Sequence, residues 1–182
     1  MAQKGFYYNT DICTGCKTCQ IACKDVNDLE EGILFREVHE LELGKFPNPK
    51  AYNISMACNH CEEPLCVANC PAKAMYKRPW DGIVMHDADK CIGCRNCIWA
   101  CPYGAPKFIE ENGIAGKCTL CVGLIQEGEK PACEAACPMR CIETGDIEEL
   151  RKKYGNNADT KLVPNSNITK PSIVITPHRD TL

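Results

Sequence analysis

The stretch Cys91-Ile-Gly-Cys94-Arg-Asn-Cys97-Ile-Trp-Ala-Cys101-Pro102 decides how the chain is read. Its spacing, C-x2-C-x2-C-x3-C-P, is that of the bacterial ferredoxin run. Two-residue gaps let a tight loop wrap three thiolates round one face of a cubane. The fourth cysteine, three residues on at the expected start of a helix, points towards a second cluster. Working outwards, Cys13-Thr-Gly-Cys16-Lys-Thr-Cys19-Gln-Ile-Ala-Cys23 repeats the run without the proline, with glycine and alanine in the same places. The remaining groups are Cys58-x2-Cys61-x4-Cys66-x3-Cys70-Pro71 and Cys118-x2-Cys121-x11-Cys133-x3-Cys137-Pro138. Both widen after a C-x2-C pair and resume at Pro64-Leu65-Cys66 or Pro131-Ala132-Cys133, so the motif order is A-B-A-B.

Seventeen of the 182 residues are cysteine, a density found in disulfide scaffolds or metal proteins. A disulfide framework has no reason to repeat the two-residue gap, and loops that short close poorly. A tetrahedral zinc site needs only two C-x2-C pairs and leaves the x3-Cys-Pro ends without a role. Iron–sulfur clusters use all sixteen. The seventeenth cysteine, Cys141, stands where the other tails carry Ala74 and Ala105, and reads as a small packing residue.

With 13 glycines, 12 prolines and 7% aromatic residues, the chain is expected to be loop-rich around a cluster core rather than a large apolar one. A net charge of −3 without a basic block argues against nucleic acid. No apolar run is long enough to span a membrane, and Met1-Ala-Gln-Lys-Gly-Phe-Tyr-Tyr shows neither an apolar h-region nor a twin arginine, so no export signal of its own is expected.

Strand signals at Phe6-Tyr7-Tyr8, Tyr52-Asn53-Ile54-Ser55 and Ile83-Val84-Met85-His86 predict short antiparallel ladders. The Cys-Pro steps are expected to open short helices. Residues 24–57 read as an insertion, with a helix or strand around Ile33 to Leu43 and a turn at Pro47-Asn48-Pro49. Asp146-Ile-Glu-Glu149 resembles a capping box for a helix running to Tyr154 and closed by Gly155, and Ser172-Ile-Val-Ile-Thr176 alternates like a strand. The fold class is therefore α+β, with two ferredoxin-like units of the bacterial 2[4Fe–4S] type. Residues 1–57 and 115–145 (motifs one and four) make the first unit, 58–114 (motifs two and three) the second, and 146–182 a C-terminal helix and strand.

Each cluster with four thiolates adds about −2, and four add about −8. That charge calls for backbone N–H groups turned towards the sulfurs and for cations; Lys17, Arg95 and Lys117 adjoin ligand cysteines. His39, His60, His86 and His178 show no ligand spacing, and His60, within Cys58-Asn-His-Cys61, is expected to face solvent. With four thiolates at every site, no iron is left open for a substrate. Closed clusters transfer single electrons, so the chain is expected to be a wire serving catalysis elsewhere, not an enzyme.

The four-group pattern, with Ser55-Met-Ala-Cys-Asn-His-Cys-Glu-Glu-Pro64, Ala100-Cys-Pro-Tyr-Gly-Ala-Pro-Lys107 and Glu149-Leu-Arg-Lys-Lys-Tyr-Gly155, resembles the iron–sulfur subunits of the dimethyl sulfoxide reductase family of molybdopterin oxidoreductases. The resemblance covers nearly the whole chain. It implies crossed ligation of four [4Fe–4S] clusters: Cys13, Cys16, Cys19 with Cys137; Cys58, Cys61, Cys66 with Cys101; Cys91, Cys94, Cys97 with Cys70; and Cys118, Cys121, Cys133 with Cys23. It also implies a catalytic subunit holding molybdenum or tungsten on a bis-pterin cofactor, and a membrane anchor that oxidises quinol. The complex would lie on the extracytoplasmic face by co-export with a twin-arginine partner, a cytoplasmic complex being the other location the sequence permits. A soluble polyferredoxin serving hydrogenase or formate dehydrogenase is the competing function.

Overall fold

The computed structural model describes residues 2–178. In chain order its elements are β1 (Lys4–Asn9), α1 (Thr18–Val26), β2 (Glu37–Leu43), β3 (Lys50–Met56), α2 (Leu65–Ala68), β4 (Met75–Lys77), β5 (Val84–His86), α3 (Asn96–Ala100), β6 (Lys107–Ile109), β7 (Ile114–Gly116), α4 (Val122–Gln126), α5 (Ala132–Ala135), β8 (Ile142–Asp146), α6 (Ile147–Tyr154) and β9 (Ile173–Thr176). Short strands and helices joined by long irregular stretches make this an α+β fold.

Three consecutive aromatics form β1 because both faces of that strand are covered, so a continuous apolar run replaces polar–apolar alternation. Phe6 and Tyr8 join the cluster of buried residues that contains Cys19, Cys23, Cys118, Cys133 and Cys137. Tyr7, on the other face, packs with Ile147 and Leu150 of α6 and Val174 of β9. β1 is the middle strand of the sheet β8-β1-β9. β8 runs antiparallel to it, with Phe6 opposite Thr144. β9, whose direction no sequence signal indicated, runs parallel, with Phe6 opposite Ile173. The reason is geometric: β8 ends beside Lys4, and residues 155–172 return the chain to that same end of β1, leaving β9 only the parallel direction.

The insertion is a hairpin of β2 and β3, pairing Val38 with Ser55; the segment from Ile33 to Leu43, read as helix or strand, is a strand from Glu37 onwards. Two smaller hairpins, β4 with β5 and β6 with β7, flank the third motif. α6 begins at Asp146, whose carboxylate accepts the Glu148 N–H at 3.0 Å, and ends at Gly155 with φ 91°.

The Cys-Pro steps do not open helices. α2, α3 and α5 end before Cys70, Cys101 and Cys137, and the prolines that follow lie in turns. A proline clashes with a helical residue before it, and Cys101 is accordingly extended at φ −84°, ψ 114°. The first motif has no proline, and α1 runs through Cys23 to Val26. Helix packing then pairs the motifs: α1 lies against α5, and α2 against α3.

Candidate metal centres

The C-x-G-C-[K/R]-x-C loops owe their curl to two left-handed residues each. Gly15 and Gly93 hold φ of 69° and 66°, and Lys17 and Arg95, just ahead of α1 and α3, hold 60° and 62°. Glycine is needed for space as well as for torsion. A Cβ at position 15 would stand 2.4 Å from Asn53 Oδ1, and one at position 93 would stand 2.3 Å from the Gly113 carbonyl oxygen.

Tertiary packing brings cysteines of different motifs together. Cys13, Cys16, Cys19 and Cys137 line one cavity, with Cys141 beside them. Cys91, Cys94, Cys97 and Cys70 line a second. Cys61 and Cys66 lie within electrostatic reach of Cys58 and Cys101. Cys23 and Cys118 lie within reach of Cys133, and Cys23 of Cys121. Three further approaches join these groups: Cys19 senses Cys133, Cys23 senses Cys19, and Cys118 senses Cys58.

Backbone and side-chain donors turn towards the sulfurs. Met75 N–H reaches Cys70 Sγ at 3.4 Å, Leu120 N–H reaches Cys118 Sγ at 3.3 Å, and the Thr18 hydroxyl reaches Cys16 Sγ at 3.4 Å. Burial pushes the thiols of Cys61 and Cys97 up to about 11 and those of Cys23 and Cys66 up to about 12. Such thiols give up their protons only to a cation that replaces them.

A family profile described as a 4Fe-4S dicluster domain matches residues 50–147, and one described as a 4Fe-4S binding domain matches residues 10–27. The iron–sulfur subunit of the anaerobic dimethyl sulfoxide reductase of Escherichia coli is 46% identical over 98% of this chain and 91% of its own length. The protein thus belongs to the iron–sulfur subunits of the dimethyl sulfoxide reductase family. More distant members include a sulfite dehydrogenase subunit of Allochromatium vinosum, 38% identical over 82% of this chain and 71% of its own. Another is the formate dehydrogenase iron-sulfur subunit of Wolinella succinogenes, 36% identical over 82% and 84%.

The residues present suit the family's iron–sulfur clusters. Among the described residues no three Cys, His, Asp or Glu side chains converge on a point where a single metal ion would sit. Thiols spread round a cavity instead suit a group that brings its own atoms to the middle. Three buried nitrogens flanking the cysteines, Asn59 Nδ2, His60 Nε2 and His86 Nε2, have no protein partner. His60 Nδ1 accepts the Val84 N–H at 3.1 Å, so its Nε2 carries the hydrogen and stands as a donor without an acceptor. Inorganic sulfide would supply acceptors there.

His60 is fully buried, contrary to the solvent-facing expectation, and burial holds its imidazole neutral, well below the usual histidine range. Its left-handed backbone, φ 44°, turns the ring inwards against β5. Of the three cations singled out by their neighbours in sequence, only Lys117 is buried, its ammonium bonded to the Val84 and Cys118 carbonyl oxygens. Lys17 and Arg95 are exposed, and Arg95 lies 3.7 Å over the Phe108 ring. The cation that sequence reading missed is Arg36, buried against four cysteines of motifs one and four. Nothing local marks it, since it lies 13 residues from the nearest cysteine. Cys141 is buried as expected of a packing residue, with its sulfur 3.4 Å from Cys137 Sγ.

Proposed function

We propose that this chain carries four [4Fe–4S] clusters and relays electrons between a quinol-linked donor and a molybdenum or tungsten bis-pterin catalytic subunit, itself performing no catalysis. The ligand sets are Cys13, Cys16, Cys19 and Cys137; Cys58, Cys61, Cys66 and Cys101; Cys91, Cys94, Cys97 and Cys70; and Cys118, Cys121, Cys133 and Cys23. The observation that carries this reading is that two cavities are each lined by three cysteines of one motif and the last cysteine of another. A cluster bound by four thiolates supplies one-electron oxidation and reduction and offers no free iron to a substrate.

The chain's own residues supply the rest. The left-handed loops present three thiolates, the ends of the short helices present the fourth, and N–H and O–H donors stabilise the negative sulfurs. The approaches between the groups support an order for the clusters. The set of Cys118 adjoins the first motif's set through Cys133 and Cys19, and adjoins the second motif's set through Cys58. In this reading the third motif's set lies at the far end from the first, and the packing of α1 on α5 and of α2 on α3 supports a division into units 1–57 with 115–145, and 58–114.

The partner assignment rests on the relatives, which are named as subunits of dimethyl sulfoxide reductase, sulfite dehydrogenase and formate dehydrogenase. Among the described residues no helix is long and apolar enough to cross a membrane. Attachment to a quinol-oxidising membrane anchor, on the extracytoplasmic face after co-export with a twin-arginine partner, would then be made through other chains. The test is purification of the protein from its native host, with metal and sulfide analysis. The expected result is a stable complex containing molybdenum or tungsten and about sixteen irons per copy of this chain. A free monomer that exchanges electrons with several enzymes would support the polyferredoxin instead, and a preparation lacking acid-labile sulfide would overturn both.

A further inference from the structure

Arg36 immediately precedes β2, and its side chain is buried at 3% exposure. Among the described residues no carboxylate pairs with it. Its Nη1 donates to the Ser55 carbonyl oxygen at 3.1 Å and to Ser55 Oγ at 3.0 Å, and its guanidinium lies 4.8 Å from the centre of the Phe6 ring. A charge taken out of water persists only where an opposite charge faces it. Here Cys133, Cys118, Cys19 and Cys23 lie within electrostatic reach of it, and their sulfurs are negative when they ligate a cluster. Arginine is not deprotonated in a protein, so the guanidinium keeps its charge where it is buried, beside Ser55 and Phe6.

Ser55 extends this field. Arginine can only donate, so Ser55 Oγ accepts from Arg36 and keeps its own hydrogen for another partner. Cys19 Sγ is 3.3 Å away, and a ligating thiolate has no hydrogen to give, so the hydroxyl donates to the sulfur. The result is a polarised relay from Arg36 through Ser55 to Cys19.

We propose that Arg36 raises the reduction potentials of the two clusters it faces, those of Cys13, Cys16, Cys19, Cys137 and of Cys118, Cys121, Cys133, Cys23, and that Ser55 adds to this at the first. The inference rests on the ligand sets proposed above. Each cluster gains one negative charge on reduction, so a fixed cation or a hydrogen bond to a ligand sulfur favours the reduced state. The wire is thereby made asymmetric, with electrons drawn towards the end built from motifs one and four.

The test is redox potentiometry followed by electron paramagnetic resonance on the assembled complex, with each cluster's signal assigned through its ligand variants. Arg36→Gln is expected to move both midpoints negative, by about tenfold in the one-electron equilibrium constant or about 59 mV, leaving the other two clusters in place. Ser55→Ala is expected to move the first cluster alone, in the same direction. A four-cluster Arg36→Gln complex with unchanged midpoints, or with all four displaced equally, would overturn the proposal. Should that variant fail to assemble, an unmoved first cluster in Ser55→Ala overturns it. Failure of the ligand sets would look different, as a wild-type complex without four clusters.

Discussion

Cys101 belongs to the third motif by sequence and to the second motif's cysteines by position. Cys61 and Cys66 both lie within electrostatic reach of it, whereas the cavity of Cys91, Cys94 and Cys97 is completed by Cys70. Replacing Cys101 by alanine should therefore damage the cluster of Cys58, Cys61 and Cys66 and spare that of Cys94. The loss lies between about one iron, if the cube sheds its uncovered corner, and about four, from a total of about sixteen. Combining Cys101→Ala with Cys94→Ala makes the experiment independent of which loss occurs. Two clusters lose iron separately, so the deficits add: about eight irons remain if each variant alone retains about twelve. Iron and sulfide analysis of the purified complex, with electron paramagnetic resonance to count the surviving signals, reads the outcome. A double variant with no greater deficit than its single parents would place Cys94 and Cys101 on one cluster and refute the crossed arrangement.

The shape of the loops gives a second prediction. Gly93→Ala forces a side chain into a left-handed residue and into the Gly113 carbonyl, and should cost the third motif's cluster while the first motif's signal persists. Cys141→Ala should leave the iron content at about sixteen, because this sulfur adds to no set of four; a loss of four irons would make it a ligand. At the C-terminal helix, the Tyr154 ring stacks on Tyr7 at 3.5 Å with an interplanar angle of 5°, and its hydroxyl donates to Glu143 Oε2 at 2.6 Å. Tyr154→Ala should destabilise the protein by about 1–3 kcal/mol and Tyr154→Phe by roughly 1 kcal/mol or less, read as shifts of the urea midpoint. Equal effects of the two would mean that the stack contributes nothing.

Short-range signals in this chain are reliable where the covalent backbone itself sets the geometry. The torsions of Gly15 and Gly93 and the cap at Asp146 each act within a few residues, and each stands where its pattern implies. The Cys-Pro steps mislead because proline is welcome in a first helical turn and equally forbids a helical residue before it. The preceding helices, already under way, make the second effect decide. His60 misleads because a loop residue between two cysteines has no periodicity to mark its burial; the pairing of its ring with Val84 comes from β5, 24 residues away.

The sequence alone determined the kind of site, since four groups of four thiols, spaced by two, three and four residues except for the eleven between Cys121 and Cys133, constrain their own loops whatever the rest of the chain does. It also carried the family, whose motifs are continuous along the polypeptide. Which cysteines face one another across a cavity the sequence offered only through the family resemblance; the tertiary structure alone decided where a buried cation meets them and that β9 runs parallel to β1. Each of those depends on helix and strand packing between segments far apart in sequence, and on the burial that turns an ordinary arginine into a counter-ion.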